Sequence, residues 1–122
     1  MSDTRAGAAS SVIETPPGLP MAGYIDRYSP ALGTHDELRA RALCIGDGSQ
    51  TVLILTLDLI GLGKEFVDRC CESIARATRI AAANIIVACT HTHSGPLSVR
   101  MLQCGEVDAD WMAGLERTLV EV

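Results

Sequence analysis

The sequence predicts an α/β fold: a mixed sheet with a β-hairpin and a βαβ unit, forming the front part of a larger domain. Three observations predict it. Two strong apolar strands flank the turn Gly46-Asp47-Gly48-Ser49-Gln50. A segment of helical period follows the second strand. A third apolar run, Ile85-Ile86-Val87-Ala88-Cys89, then leads into Thr90-His91-Thr92-His93-Ser94-Gly95-Pro96. Strand, helix and strand in that order make a βαβ unit, whose two strands should be parallel.

Each element has its own justification. Ala6 to Glu14 reads as a first strand on the strength of Val12-Ile13. Thr15-Pro16-Pro17-Gly18-Leu19-Pro20 excludes a helix or central strand and gives a rigid extended loop. Met21-Ala22-Gly23-Tyr24 opens an irregular stretch to about Thr34. So long a connection in a compact domain is uncommon and often functional. Gly23 either admits a ligand close to the backbone or simply turns the chain. In Leu38 to Ile45, Arg39 and Arg41 alternate with Ala40 and Ala42, the period of a strand. After the Asp-Gly turn, Thr51 to Leu57 is its hairpin partner. Asp58 ends that strand. Glu65 to Arg79 carries Phe66-Val67, Cys70-Cys71, Ile74 and Ala77 at amphipathic helical spacing. Ala81 to Asn84 turns the chain into the third run, a short β-branched segment that reads as a buried strand. Asp110 to Val122 is again close to helical spacing, with Trp111, Met112, Leu115, Leu119 and Val120. No Gly, Asn or Pro closes this pattern, so residues 1–122 are expected to be the amino-terminal, incomplete portion of a longer protein.

Composition limits the function. At 122 residues the chain is at most one domain. A net charge of −5 and the lack of a basic run argue against a nucleic-acid surface and against acidic membranes. The longest apolar stretch, Val52 to Leu62, is broken by Thr56, Asp58 and Gly61 and is too short for a transmembrane segment. The first residues lack a signal peptide's apolar core, so a cytoplasmic location is expected. The 5 cysteines form no CxxC, and the expectation is reduced cysteines packed as small apolar residues.

The chemistry concentrates at the end of the third run. Strand alternation puts His91 and His93 on one face, about 7 Å apart at the backbone. Two imidazoles so placed reach one metal ion, or one binds the ion while the other faces a substrate. The carboxyl end of a parallel strand is where open α/β sheets gather ligands. Asp58, ending the other parallel strand, is either a carboxylate that holds an imidazole or an ordinary turn residue. His35-Asp36 either supplies a ligand or substrate contact or caps a strand. A catalytic zinc takes three protein ligands and an open position for water. The chain has 3 histidines in all, so even the generous reading leaves the site incomplete.

Taken together, the proline loop with Met21-Ala22-Gly23-Tyr24, His35-Asp36, Arg41-Ala42, Leu57-Asp58-Leu59 and Ala88-Cys89 with the Thr-His-Thr-His-Ser-Gly-Pro signature resemble the amino-terminal part of the neutral/alkaline, non-lysosomal ceramidase family. The resemblance spans roughly residues 6 to 100. It implies a catalytic domain with Zn2+ that cleaves the amide of ceramide or a related N-acyl lipid to a sphingoid base and a fatty acid. It further implies that His91 is a metal ligand, that His93 lines the substrate site, and that Gly23 faces the reacting centre. The family's other zinc ligands are a later histidine, a glutamate and a tyrosine. With its catalytic arginine and signature serine, they are expected downstream of Val122, so the fragment alone should be inactive. Family members usually continue the signature with glycines and an aromatic, whereas Leu97-Ser98-Val99-Arg100 follows here, which points to different acyl-binding surroundings. They are also often secreted or membrane-associated. The chain thus resembles a divergent bacterial-type member, acting on a small-molecule or lipid amide.

Competing readings remain at the level of residues. A metal-dependent hydrolase of the amidohydrolase barrel type also ends a strand in His-x-His, but the hairpin and proline loop ahead of the pair count against it. A metallo-β-lactamase-like site lacks its Asp-His. In a non-catalytic binding module, both histidines would be structural.

Overall fold

In Thr51-Val52-Leu53-Ile54-Leu55-Thr56-Leu57 every second residue from Leu53 on is leucine, and those leucines turn to one side. Leu53, Leu55 and Leu57 are 7%, 1% and 0% exposed. They form the inner face of the strand that the others assemble around. The computed structural model describes residues 3–122. Its elements are β1 (Arg5–Val12), β2 (Arg39–Gly46), β3 (Thr51–Leu57), α1 (Lys64–Thr78), a 3-10 turn (Ala82–Asn84), β4 (Ile85–Cys89) and α2 (Ala109–Glu121). The four strands form one sheet in the order β1-β2-β3-β4. β2 runs antiparallel to both β1 and β3, with Ala9 opposite Ala42 and Leu43 opposite Ile54. β3 and β4 are parallel, with Leu55 opposite Val87. The mixed sheet, the hairpin and the βαβ unit are as the sequence predicts.

Turn chemistry closes the hairpin. The Asp47 carboxylate accepts from the amides of Ser49 and Gln50 at 2.8 Å each, so the side chain replaces missing ladder partners. α1 buries Phe66, Cys70 and Ile74, spaced four apart, against the leucine face of β3. It stops where Arg79 turns left-handed (φ 66) and returns its N–H to Ala75 O. Asp108 caps α2 by accepting from Trp111 N at 2.8 Å. The Trp111 indole donates to Glu14 O at 2.7 Å and fastens α2 to the chain leaving β1. Leu115 and Leu119 complete the core with Ile13, Ala40, Leu57, Leu59, Phe66 and Cys70. Neither helix is long and apolar enough to cross a membrane.

One expectation is corrected. Among the described residues β4 is not a buried strand but the edge of the sheet. Helices cover a single face, and Ile86 on the other face is 52% exposed. An apolar β-branched run has the same sequence whether one of its faces or both are covered. Leu43 and Ile45 of β2, at 39% and 38%, lie on the same uncovered side.

Candidate active site

β4 stops at Cys89, before the histidines. The chain nevertheless stays beside the extension of β3, because Thr90 N donates to Leu57 O at 2.9 Å and His91 N to Leu59 O at 3.0 Å. His91 then turns left-handed, with φ 63. Strand alternation therefore does not govern the pair, contrary to the sequence expectation. The two imidazoles still meet, with centroids 5.0 Å apart and planes at 75°. They meet because His91 reverses the backbone, at a cost that a non-glycine residue incurs only where its surroundings hold it.

Those surroundings are visible. His91 Nδ1 lies 2.7 Å from Ile60 O. A carbonyl only accepts, so Nδ1 carries a proton, and the neutral form of the ring has its lone pair on Nε2. A metal-binding histidine has this arrangement, its second nitrogen tied to a carbonyl that fixes tautomer and ring direction. His91 thus fits the role of a single metal ligand. The partner is a backbone group and not Asp58. The Asp58 carboxylate is taken up by Arg39 N at 3.0 Å and by Arg41 Nη1 at 3.0 and 2.9 Å. It is a turn residue that braces the start of β2.

The proline loop forms the other wall. Leu97 N donates to Pro20 O at 2.7 Å and Ala22 N to Gly95 O at 3.0 Å, and Met21 and Pro96 make an antiparallel bridge. The two segments are more than seventy residues apart in sequence and pair as a short ribbon. Gly23 follows with φ 102. A Cβ on Gly23 would lie 2.6 Å from His93 Cβ and 2.7 Å from its Cα. Gly23 turns the chain here, and the group that comes close to its backbone is His93. The Tyr24 ring stands edge-on to His93 at 5.6 Å.

The remaining candidates lie apart. His35 and Asp36 pair with each other at 3.0 Å and are 96% and 93% exposed. They line a groove of about 470 Å³ with Thr92 and Ser94. No group of three or more His, Cys, Asp or Glu side chains among the described residues is placed to hold one ion. Leu97 and Ser98 are 1% and 2% exposed and belong to the packing beneath the site, where Ser98 Oγ donates to Gly61 O at 2.7 Å. Leu97 and Ser98, which follow the signature, therefore lie in the core and not on an exposed wall. Among the thiols, burial pushes Cys70 up to about 12 and also raises Cys71 and Cys89, which keeps them protonated and unreactive. Sequence reasoning missed the Ile60 carbonyl. Its only trace was the position of Ile60, two residues beyond the Asp58 that follows β3.

No protein-family model matches the sequence, and no curated protein matches it either. Solved structures do match in shape. Over 97% of the chain it is similar to a neutral ceramidase from Pseudomonas aeruginosa, with a TM-score of 0.81 and 19% identity. Over 96% it is similar to a ceramidase complexed with C2, again at 0.81, with 20% identity. The chain spans 20% of the length of each of these structures. It has the fold of that part of them.

Proposed function

We propose that this chain is the amino-terminal part of a neutral-ceramidase-type hydrolase, which cleaves the amide of a ceramide-like N-acyl lipid with the help of zinc. The observation that carries the reading is the junction of the proline loop with the histidine signature. Two segments that resemble one family, and that lie far apart in sequence, meet around His91, His93 and Gly23. The shared fold supports the hydrolase class; zinc and substrate are inferences from the residues.

In this reading His91 holds the ion through Nε2, while Ile60 O fixes the ring. The remaining ligands come from polypeptide outside the described residues, since a catalytic zinc takes three protein donors. When bound, zinc supplies a polarised carbonyl and a water of lowered pKa. His93 lies beside His91 and faces the substrate, where it binds and orients the acyl-amide. Gly23, with no side chain, lets His93 pack against the loop backbone, and in this reading its peptide faces the reacting centre beside His93. All three residues sit on loops carried by a rigid sheet edge, the usual way a scaffold presents reacting groups.

The test is hydrolysis of an N-acylsphingosine by the full-length protein before and after zinc removal by a chelator. The expected result is release of fatty acid that stops on chelation and returns with zinc. Turnover indifferent to chelation would remove the zinc reading. Failure to cleave N-acylsphingosine or any other N-acyl amide would remove the hydrolase reading.

A further inference from the structure

Residues 18–31 form a loop closed at its neck, where Gly18 N donates to Ala31 O at 2.8 Å and Ala31 N to Leu19 O at 2.9 Å. Its first limb is anchored by burial, with Leu19 and Ala22 at 6% and 0% exposure. Its second limb is not, since Tyr24, Ile25 and Tyr28 are 54%, 63% and 81% exposed. Apolar packing therefore does not hold the part of the loop that touches His93. The inward side chain of that limb is Arg27.

Arg27 folds back through a turn in which its N–H donates to Tyr24 O at 3.1 Å. Its Nη1 donates to His93 O at 3.1 Å and to Ala22 O at 3.3 Å. Its guanidinium also lies over the Tyr24 ring, 4.7 Å from the centroid. One planar group thus touches the loop on both sides of Gly23 and the signature at His93, and it supports the ring standing edge-on to the imidazole. A charged donor shared between two carbonyls is a strong tie, and stacking on an aromatic face adds to it. Lysine reproduces neither the planar fork nor the stack.

We infer that Arg27 is a positioning residue: it clamps the Gly23–Tyr24 turn onto His93 and fixes the direction of the His93 ring. It acts through Tyr24 and the His93 backbone and does not touch the reacting atoms. Its effect on turnover rests on the hydrolase reading above; the clamp itself does not.

Two measurements test this and separate the two claims. In the full-length protein, with tyrosine and histidine rings selectively labelled, nuclear Overhauser contacts are expected between the Tyr24 and His93 ring protons. Arg27→Gln should abolish them and speed amide exchange at Tyr24 and Ile25, with the sheet resonances unmoved. Arg27→Lys should restore the contacts only in part. Ring contacts that persist unchanged in Arg27→Gln would overturn the clamp. General loss of the sheet resonances in both variants would also overturn it, by making Arg27 an ordinary stability residue. In the full-length protein, Arg27→Gln is expected to lower kcat about 10- to 100-fold, as misplacement of a reacting group does. KM should stay within about threefold of the parent value. A raised KM with unchanged kcat would contradict positioning of His93. Absence of turnover in the parent would count against the hydrolase reading and leave the ring-contact result standing.

Discussion

Two regions of this molecule are held together in different ways. The body, β3 with α1 and α2, is held by burial: Leu55, Leu57, Cys70, Ile74 and Leu119 are all 2% exposed or less. The ribbon that joins residues 20–24 to 90–97 buries only a small cluster, Ala22 and Leu97 with Ile60 and Cys104, and adds directed bonds to it, among them Leu97 N to Pro20 O, Ala22 N to Gly95 O and the His91 bond to Ile60 O. Burial is tolerant, because many side chains of suitable size would fill the same space. Directed bonds are not, because each needs one donor at one place. The comparison teaches where specificity lies. The body fixes stability and the height of the sheet edge, and the ribbon fixes the direction of two imidazoles.

The largest expected effect breaks the body. Leu57→Ala empties a fully buried position in the central strand and should cost about 2–5 kcal/mol. Amide protection should fall throughout and the thermal midpoint should drop by about 10 °C or more. Loss confined to β3 would show that the core is not one cooperative unit. The next effect falls on the ribbon. Gly23→Ala places a methyl 2.6 Å from His93 Cβ at a backbone φ of 102, and should cost about 1–3 kcal/mol. Here exchange should quicken at Ala22 and Leu97 while β3 keeps its protection. Uniform loss would mean that ribbon and body are not separable. Asp58→Asn removes an ion pair whose arginine is 47% exposed, so about 1 kcal/mol or less is expected after screening. Zinc uptake by the full-length protein should not change, because Asp58 touches neither histidine. The smallest effect is at Asp47, where bonds from the Gln50 amide, the Ser49 hydroxyl and the Ser49 amide lower the pKa from 3.8 to about 2. A carboxylate with a depressed folded-state pKa adds support above its unfolded value that is lost as the pH falls through the folded one. The hairpin turn should therefore loosen between about pH 4 and pH 2, read by exchange at Ser49 and Gln50. An Asp47 titration midpoint near its ordinary value would contradict this.

Much of the body was legible in the sequence because its signals are local. The alternation in Thr51 to Leu57, the spacing of Phe66, Cys70 and Ile74, and the Asp47-Gly48 turn each specify an element within a dozen residues. The edge position of β4 was not legible, since exposure of Ile86 depends on what fails to cover it. In the site, the meeting of His91 with His93 was foreseen, yet the strand alternation that motivated it does not hold. The left-handed turn at His91 leaves no mark on composition or period. Gly23 was singled out, but the group it makes room for became visible only when the proline loop closed on the signature. The Ile60 carbonyl and Arg27 act through contacts between distant segments, which no local pattern encodes. Asp58 was placed at the right strand end, and Arg41 had already claimed it.

The central proposal divides the histidine pair: His91 would hold the metal and His93 would face the substrate. Zinc content of the full-length protein, with His91→Ala and His93→Ala beside the parent, tests it most directly. The account predicts that zinc is lost with His91→Ala and retained with His93→Ala. Zinc retained in full by His91→Ala would contradict it.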